Sequence, residues 1–304
     1  MQKLQVNFNS GPLISVIMNC YNGDKYLEKS INSLISQTYQ NWELIFWDNN
    51  SKDKSKDIFK KFQDRRLKYY HNNETTTLYK ARNLAIEKSE GELLTFLDVD
   101  DYWLPERLKF QVDFFLKFPD INFVYGNYYI LNEKLKIKKI AFKKKDLITG
   151  KIYNSLVEKY YVGLVSICFR KKIFEKFDER FEIIGDFDFT LKVSKYNVFG
   201  VIHEPLSYYR FHEKNFSLLN KKKHFDELSI WYNENLKEDK NVSKKTKKIF
   251  LSQLDEIRFH SLILSNERIK AASFMLKKFK LLRKIKLLLL LILPVNMIKK
   301  FVNG

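Results

Sequence analysis

The sequence predicts an α/β fold in which buried parallel strands are joined by crossover helices, followed by a helical C-terminal extension. Three observations predict it. Short β-branched or aromatic runs alternate with helical stretches from Leu13 to about Asp101. Those runs are rich in β-branched and aromatic residues, the pattern of strands covered on both faces. From about Leu219 onward the strand-like runs stop and the spacing of apolar residues is helical.

In order, ISVIM (14–18) predicts the first strand and Lys25–Gln37 a helix, ELIFW (43–47) the second strand and Asp53–Phe62 a helix. LKYY (67–70), Leu78–Lys88 and ELLTFLD (92–98) continue the alternation, which makes this half a Rossmann-like sheet. Pro105 suits the first turn of a helix running to about Lys117. Beyond Phe123 a hairpin across Asn127–Lys139, a lysine-rich loop at 143–145, and strands near Val165–Arg170 and Val198–Arg210 complete the sheet and cover its carboxyl edge. The expected domains are a catalytic one over 1–218, with halves of about 13–101 and 102–218, and a helical extension over 219–304. No internal repeat or Pro/Gly-rich linker marks the boundary.

The 304 residues carry 55 Lys+Arg against 36 Asp+Glu, a net charge of +19. Such a charge suits nucleic acid, an anionic membrane surface or phosphate-bearing substrates. Residues 271–304 hold eight Lys/Arg and no acid among aliphatic residues, which favours the membrane surface. Nucleic acid is suggested by charge alone and is not an expected partner. Cys20 and Cys168 are too few for a disulfide framework and lack metal spacing. Met1 to Pro12 lacks the apolar core of a secretory signal, so a cytoplasmic location is expected, peripheral on the membrane face. The run Leu287 to Leu293 is too short to span a bilayer. At 100° per residue, Met275, Leu282, Ile285 and Leu289 share one face of a helix expected over Ile269–Leu293, with Lys277, Lys280 and Lys284 opposite.

Asp98, Asp100 and Asp101 follow directly on an apolar run. In an extended backbone residues two apart point the same way, so Asp98 and Asp100 are expected to present two carboxylates to one ligand at the carboxyl end of the sheet, where open α/β sheets bind ligands. Two hard carboxylates with open positions suit Mg²⁺ or Mn²⁺ bridging a diphosphate. No Ser-His-Asp order, Walker loop or zinc spacing is present.

The stretches ISVIMNCYNGDKYLEKSINSLISQTYQNWELIFWDNNSKD (14–53), KARNLAIEKSEGELLTFLDVDD (80–101), FDERFEIIGDFDFTLKV (177–193) and YRFHEKNFS (209–217) resemble, in this order and spacing, the family 2 glycosyltransferases of the GT-A fold. The resemblance implies an inverting, metal-dependent transfer of a sugar from a nucleotide-sugar donor, with UDP first in line, to a glycan or lipid-linked acceptor in cell-surface polysaccharide synthesis. It puts Asn19, Tyr21, Asn22, Asp48 and Asn49 beside the nucleoside, Arg82 and Arg210 near the phosphates, Asp98 at the donor, and the metal on the DxD residues Asp98 and Asp100 with His212. Asn49 stands where the family has an acid, and its amide can still bond a base edge. Asp186 matches the general base that must take the acceptor's proton, with Asp188 next in line. Asp186 also suits a helix N-cap, and Gly185 stands where the family has Glu. Tyr39 and Trp42 are read as core aromatics. Alternatives are a noncatalytic nucleotide-sugar-binding protein on the same fold and a sugar-nucleotide nucleotidyltransferase, although Asn19–Asp24 lacks the latter's glycine-rich loop.

Overall fold

The computed structural model describes residues 11–212, 215–279 and 281–293. It divides into two compact units, one of residues up to 156 with 160–212, the other of 157–159 with the residues after 212.

The first unit opens with β1 (Ile14–Cys20), α1 (Asp24–Ile35), β2 (Trp42–Asp48), α2 (Ser55–Phe59), β3 (Leu67–His71), α3 (Leu78–Glu87) and β4 (Leu93–Phe96). These strands lie in the order β3-β2-β1-β4 and all pair in parallel. Ile14, Val16 and Met18 have no exposed surface, and Leu27, Ile31 and Leu34, spaced along one face of α1, pack into the same core. Each such side chain contributes about 1.5–3 kcal/mol on burial. β1, β2 and β4 are buried on both faces, hence their largely apolar character, whereas β3 at the edge is only half-buried.

The chain continues through β5 (Tyr102–Trp103), α4 (Arg107–Lys117), β6 (Phe123–Asn132), β7 (Ile137–Ile140), α5 (Tyr153–Glu158), β8 (Cys168–Arg170), α6 (Gly185–Ser194) and β9 (Phe199–Arg210). The sheet extends as β4-β8-β6-β9-β5, with β7 on β6. β8 is antiparallel to both neighbours, so the sheet is mixed. One short pairing positions the site: Tyr102 and Trp103 of β5 lie opposite Tyr208 and Ser207 of β9. The rings of Tyr102 and Tyr208 stack at 4.4 Å. This pairing brings the turn after β4 beside the end of β9.

The second unit is helical, with α7 (Phe216–Leu219), α8 (Lys221–Trp231), α9 (Lys244–Leu264), α10 (Arg268–Lys278) and α11 (Leu281–Ile292). Ser243 caps α9, its hydroxyl accepting from the Thr246 amide at 3.0 Å. Phe259, Ile263, Ala271, Met275 and Leu287 form a small core. The single helix expected over Ile269–Leu293 is instead two, broken where Phe279 turns extended at φ −104°, ψ 148°. Met275 is 2% exposed in that core, so it is not part of a membrane-facing stripe. Lys280 and the side chains of Leu282, Ile285 and Leu289 lie outside the described residues. Among the described residues no helix is long and apolar enough to cross a membrane.

Candidate active site

β4 ends at Phe96, and Asp98–Asp101 form a turn closed by the Asp101 amide donating to the Asp98 carbonyl at 3.0 Å. The strand alternation that would aim Asp98 and Asp100 at one ligand therefore does not extend to them. Asp98 pairs with Arg82, Nη2 to Oδ1 at 2.8 Å. Asp100 Oδ2 lies 2.9 Å from Nε2 of His212. Asp101 is buried, and its Oδ1 accepts the backbone N–H of Arg210 at 2.8 Å. Among the described residues no three His, Cys, Asp or Glu side chains converge on one point, so Asp98, Asp100 and His212 do not form a three-ligand cage. Asp100 and His212 by themselves fit a divalent ion. Mg²⁺ and Mn²⁺ sites take one or two protein groups and complete their shell with water and substrate phosphate, and both side chains keep exposed surface, 28% and 20%.

Arg210, expected near phosphate, is 2% exposed and ties the turn together. Its Nε donates to the Asp100 carbonyl at 2.7 Å, and it pairs with Glu133. Its guanidinium lies 4.4 Å from the ring centroid of Tyr26, which stacks on His212 at 5.4 Å.

Of the residues expected beside the nucleoside, Asn19 near the end of β1 has both side-chain polar atoms buried without a hydrogen-bond partner among the described residues. An unmet buried amide costs about 1–3 kcal/mol, so it marks a place that a ligand or water completes. Tyr21 is 57% exposed. Asn22 takes a left-handed φ of 55°, and its Oδ1 accepts the Lys52 amide at 2.8 Å. Asp48 accepts from the Tyr69 hydroxyl at 2.6 Å and the Ser51 amide at 2.8 Å. Asn49 clamps Thr76: its Oδ1 accepts from the Thr76 amide and hydroxyl at 3.1 and 3.0 Å, and its Nδ2 donates to the Thr76 carbonyl at 2.8 Å. Asn22, Asp48 and Asn49 thus shape the two loops, and Asn19 and Tyr21 are the side chains with capacity to spare.

Asp186 sits in the first turn of α6 and lines a cavity of about 230 Å³ with Asp98, Asp101, Tyr128, Tyr160 and Tyr209. Burial raises the Asp186 pKa from the usual carboxylate value, against the opposing pull of Arg82 and the Tyr79 hydroxyl. Arg82 is 3% exposed, paired with Asp98 and acting electrostatically on Asp186. Its Nε has no partner among the described residues. The single phenolic hydrogen of Tyr79 faces Asp186 Oδ1 at 2.9 Å and the Ile183 carbonyl at 3.0 Å. An ionised carboxylate is the stronger acceptor. A Cβ on Gly185 would stand 2.6 Å from three atoms of the Tyr79 ring, which gives the glycine in place of Glu a steric reason. Asp188 is 1% exposed and paired with Lys192 at 2.7 Å.

Tyr79, Tyr26 and Glu133 were not singled out by the sequence. Only Tyr79 carried a signal, three residues before Arg82 and so on the same helical face.

The family model described as Glycosyl transferase family 2 matches residues 15–186, more than half of the chain. The chain is 32% identical over 191 residues to UDP-Glc:alpha-D-GlcNAc-diphosphoundecaprenol beta-1,3-glucosyltransferase WfgD of Escherichia coli, covering 63% of this chain and 73% of that protein. The fold resembles the crystal structure of S. aureus TarS 1-349 in complex with UDP, with a TM-score of 0.64, 20% identity, and 86% and 80% of the two chains covered. It also resembles the mannosyltransferase PcManGT of Pyrobaculum calidifontis in complex with GDP-Man and Mn²⁺, at a TM-score of 0.60, 15% identity, and 96% and 84% covered. At these identities the two structures speak for the GT-A fold.

Proposed function

The chain belongs to glycosyl transferase family 2, and on that premise we propose that it moves a hexosyl group from a UDP-sugar to the hydroxyl of a lipid-linked acceptor, inverting the anomeric carbon, in the assembly of a cell-surface glycan. The observation that carries this reading is the cavity lined by both Asp98 and Asp186, with Arg82 paired to the first and acting electrostatically on the second. The donor class and the lipid diphosphate acceptor are those named for the E. coli relative.

In the proposed reaction the acceptor oxygen forms a bond to the anomeric carbon as the bond from that carbon to the diphosphate oxygen breaks. Asp186 takes the acceptor proton, and the departing electron pair stays on the diphosphate. Because burial makes Asp186 more basic than an ordinary carboxylate, it is a better proton acceptor once ionised. Arg82 fixes the Asp98 carboxylate, and the unmet amide of Asn19 with the exposed ring of Tyr21 receives the nucleoside. Asp100 and His212 would hold a divalent ion, which when bound offsets charge on the leaving diphosphate. Asp98 belongs to this reading as a donor contact, its carboxylate held by Arg82. The chemistry is assigned to residues 1–218, and the helices beyond, with their excess of lysine, are assigned to the cytoplasmic membrane surface.

The test is Asp186→Asn. Donor binding by calorimetry should persist while turnover falls about 10²–10⁴-fold. Unimpaired transfer by this variant removes the base from the scheme, and a thermal-shift panel in which GDP outranks UDP removes the uridine donor.

A further inference from the structure

We propose that the β6–β7 hairpin docks the catalytic unit on an anionic phospholipid bilayer. The docking stands on the hairpin alone; only its use in presenting a lipid-linked acceptor rests on the transfer reaction proposed above.

The hairpin turns at Glu133–Lys136, and all four residues of β7 are exposed. Leu135, Ile137 and Ile140 are 58%, 46% and 53% exposed. Seven lysines and no acid lie between Lys134 and Lys145. Lysine on an edge strand has an ordinary use, blocking strand-to-strand aggregation. That use does not call for exposed aliphatic side chains beside it, which work against it. Aliphatic residues that enter the headgroup boundary, flanked by lysines long enough to reach lipid phosphates, form the interfacial pattern. The same aliphatics have no counterpart on a polynucleotide, and the segment holds no arginine.

The hairpin is also fixed to the cavity. The Ala141 amide donates to the Tyr128 carbonyl at 2.9 Å, and the Asn127 side chain bonds both backbone groups of Phe142, at 2.8 and 3.2 Å. Tyr128 and Phe142 line the cavity that holds Asp98 and Asp186. A bilayer engaged by the hairpin therefore lies beside the rim at which a membrane-embedded acceptor would enter.

Because Cys20 and Cys168 are both buried, a cysteine placed at Ile137 takes a thiol-reactive, environment-sensitive fluorophore selectively. With vesicles of phosphatidylcholine and phosphatidylglycerol, the label in Ile137→Cys should shift to the blue, and high salt should reverse the shift. Phosphatidylcholine alone should leave it unshifted, as should a label in Leu116→Cys on α4 with either vesicle. The pair Lys136→Gln and Lys145→Gln should weaken vesicle binding roughly 25-fold, about fivefold for each lysine, with donor hydrolysis unchanged. Absence of a shift at Ile137, whether or not the protein sediments with the vesicles, overturns the proposal. So does displacement of the vesicles by an oligonucleotide that itself shifts the label. A shift in a protein that transfers no sugar leaves the docking standing and the reaction refuted.

Discussion

The phenolic oxygen of Tyr79 lies 2.9 Å from Oδ1 of Asp186, and the ring that carries it fills the space a side chain on residue 185 would need. The two positions are therefore coupled: a glycine at 185 admits the tyrosine, and the tyrosine holds the carboxylate.

Tyr79→Phe is expected to lower kcat while leaving donor affinity unchanged. The hydroxyl favours the ionised form of Asp186, so its loss raises further a pKa that burial already raises. The base works ionised, and the acid limb of the pH profile of kcat/KM should move to higher pH. Gly185→Ala should displace the ring and give the same shift, and the two together should shift the limb no further than either alone. An acid limb unmoved in Tyr79→Phe would falsify the positioning role without touching the base itself.

Asn49→Asp is expected to destabilise the protein by about 1–3 kcal/mol. The change sets a carboxylate oxygen against the Thr76 carbonyl, where Nδ2 now donates at 2.8 Å. Thr77 follows and caps α3, the helix of Tyr79 and Arg82, so donor affinity should weaken as well. Urea unfolding of the two proteins checks it: equal midpoints would mean that the loop does not depend on the amide.

The contrast at Asn49 shows what a sequence exposes and what it hides. Strands β1, β2 and β4 were legible because burial on both faces leaves largely apolar runs, and the motif order singled out Asp98, Asp186 and His212 as candidates. The turn at 98–101 was not legible, since nothing in FLDVDD separates a strand that continues from one that stops at Phe96. The tasks of Asn49 and Arg210 were hidden for a related reason. Their partners, Thr76 and Glu133, stand 27 and 77 residues away, and only the fold sets polar side chains against them. Met275 was placed on the wrong surface because helical periodicity marks an apolar stripe without saying what covers it.

If Asp100 and His212 hold the divalent ion, Mn²⁺ should raise the melting temperature in the presence of UDP, and His212→Ala should lower the apparent Mn²⁺ affinity by about tenfold or more. The readout is a melting curve, independent of turnover. An unchanged Mn²⁺ midpoint in His212→Ala would take the imidazole out of the site.

The helical unit should lose stability as the medium becomes acidic, through His224 on α8. Burial, then the charge of Lys221, lower its pKa from 6.5 to about 4, and its Nδ1 is buried without a partner among the described residues. Between those two values the unfolded chain binds the proton and the folded one does not. Stability therefore rises with pH across this window, and its contribution is lost as pH falls from about 6.5 toward about 4. The loss is at most about 3 kcal/mol, and less to the extent that the ring is still wetted. His260, lowered by burial in the same direction, adds to the slope. His224→Phe should accordingly reduce the difference in urea stability between neutral pH and pH near the lower end of the window without abolishing it. The slope is the quantity to compare, because phenylalanine also changes packing at every pH. If the variant and the parent lose stability in parallel, His224 is not the group that senses acid.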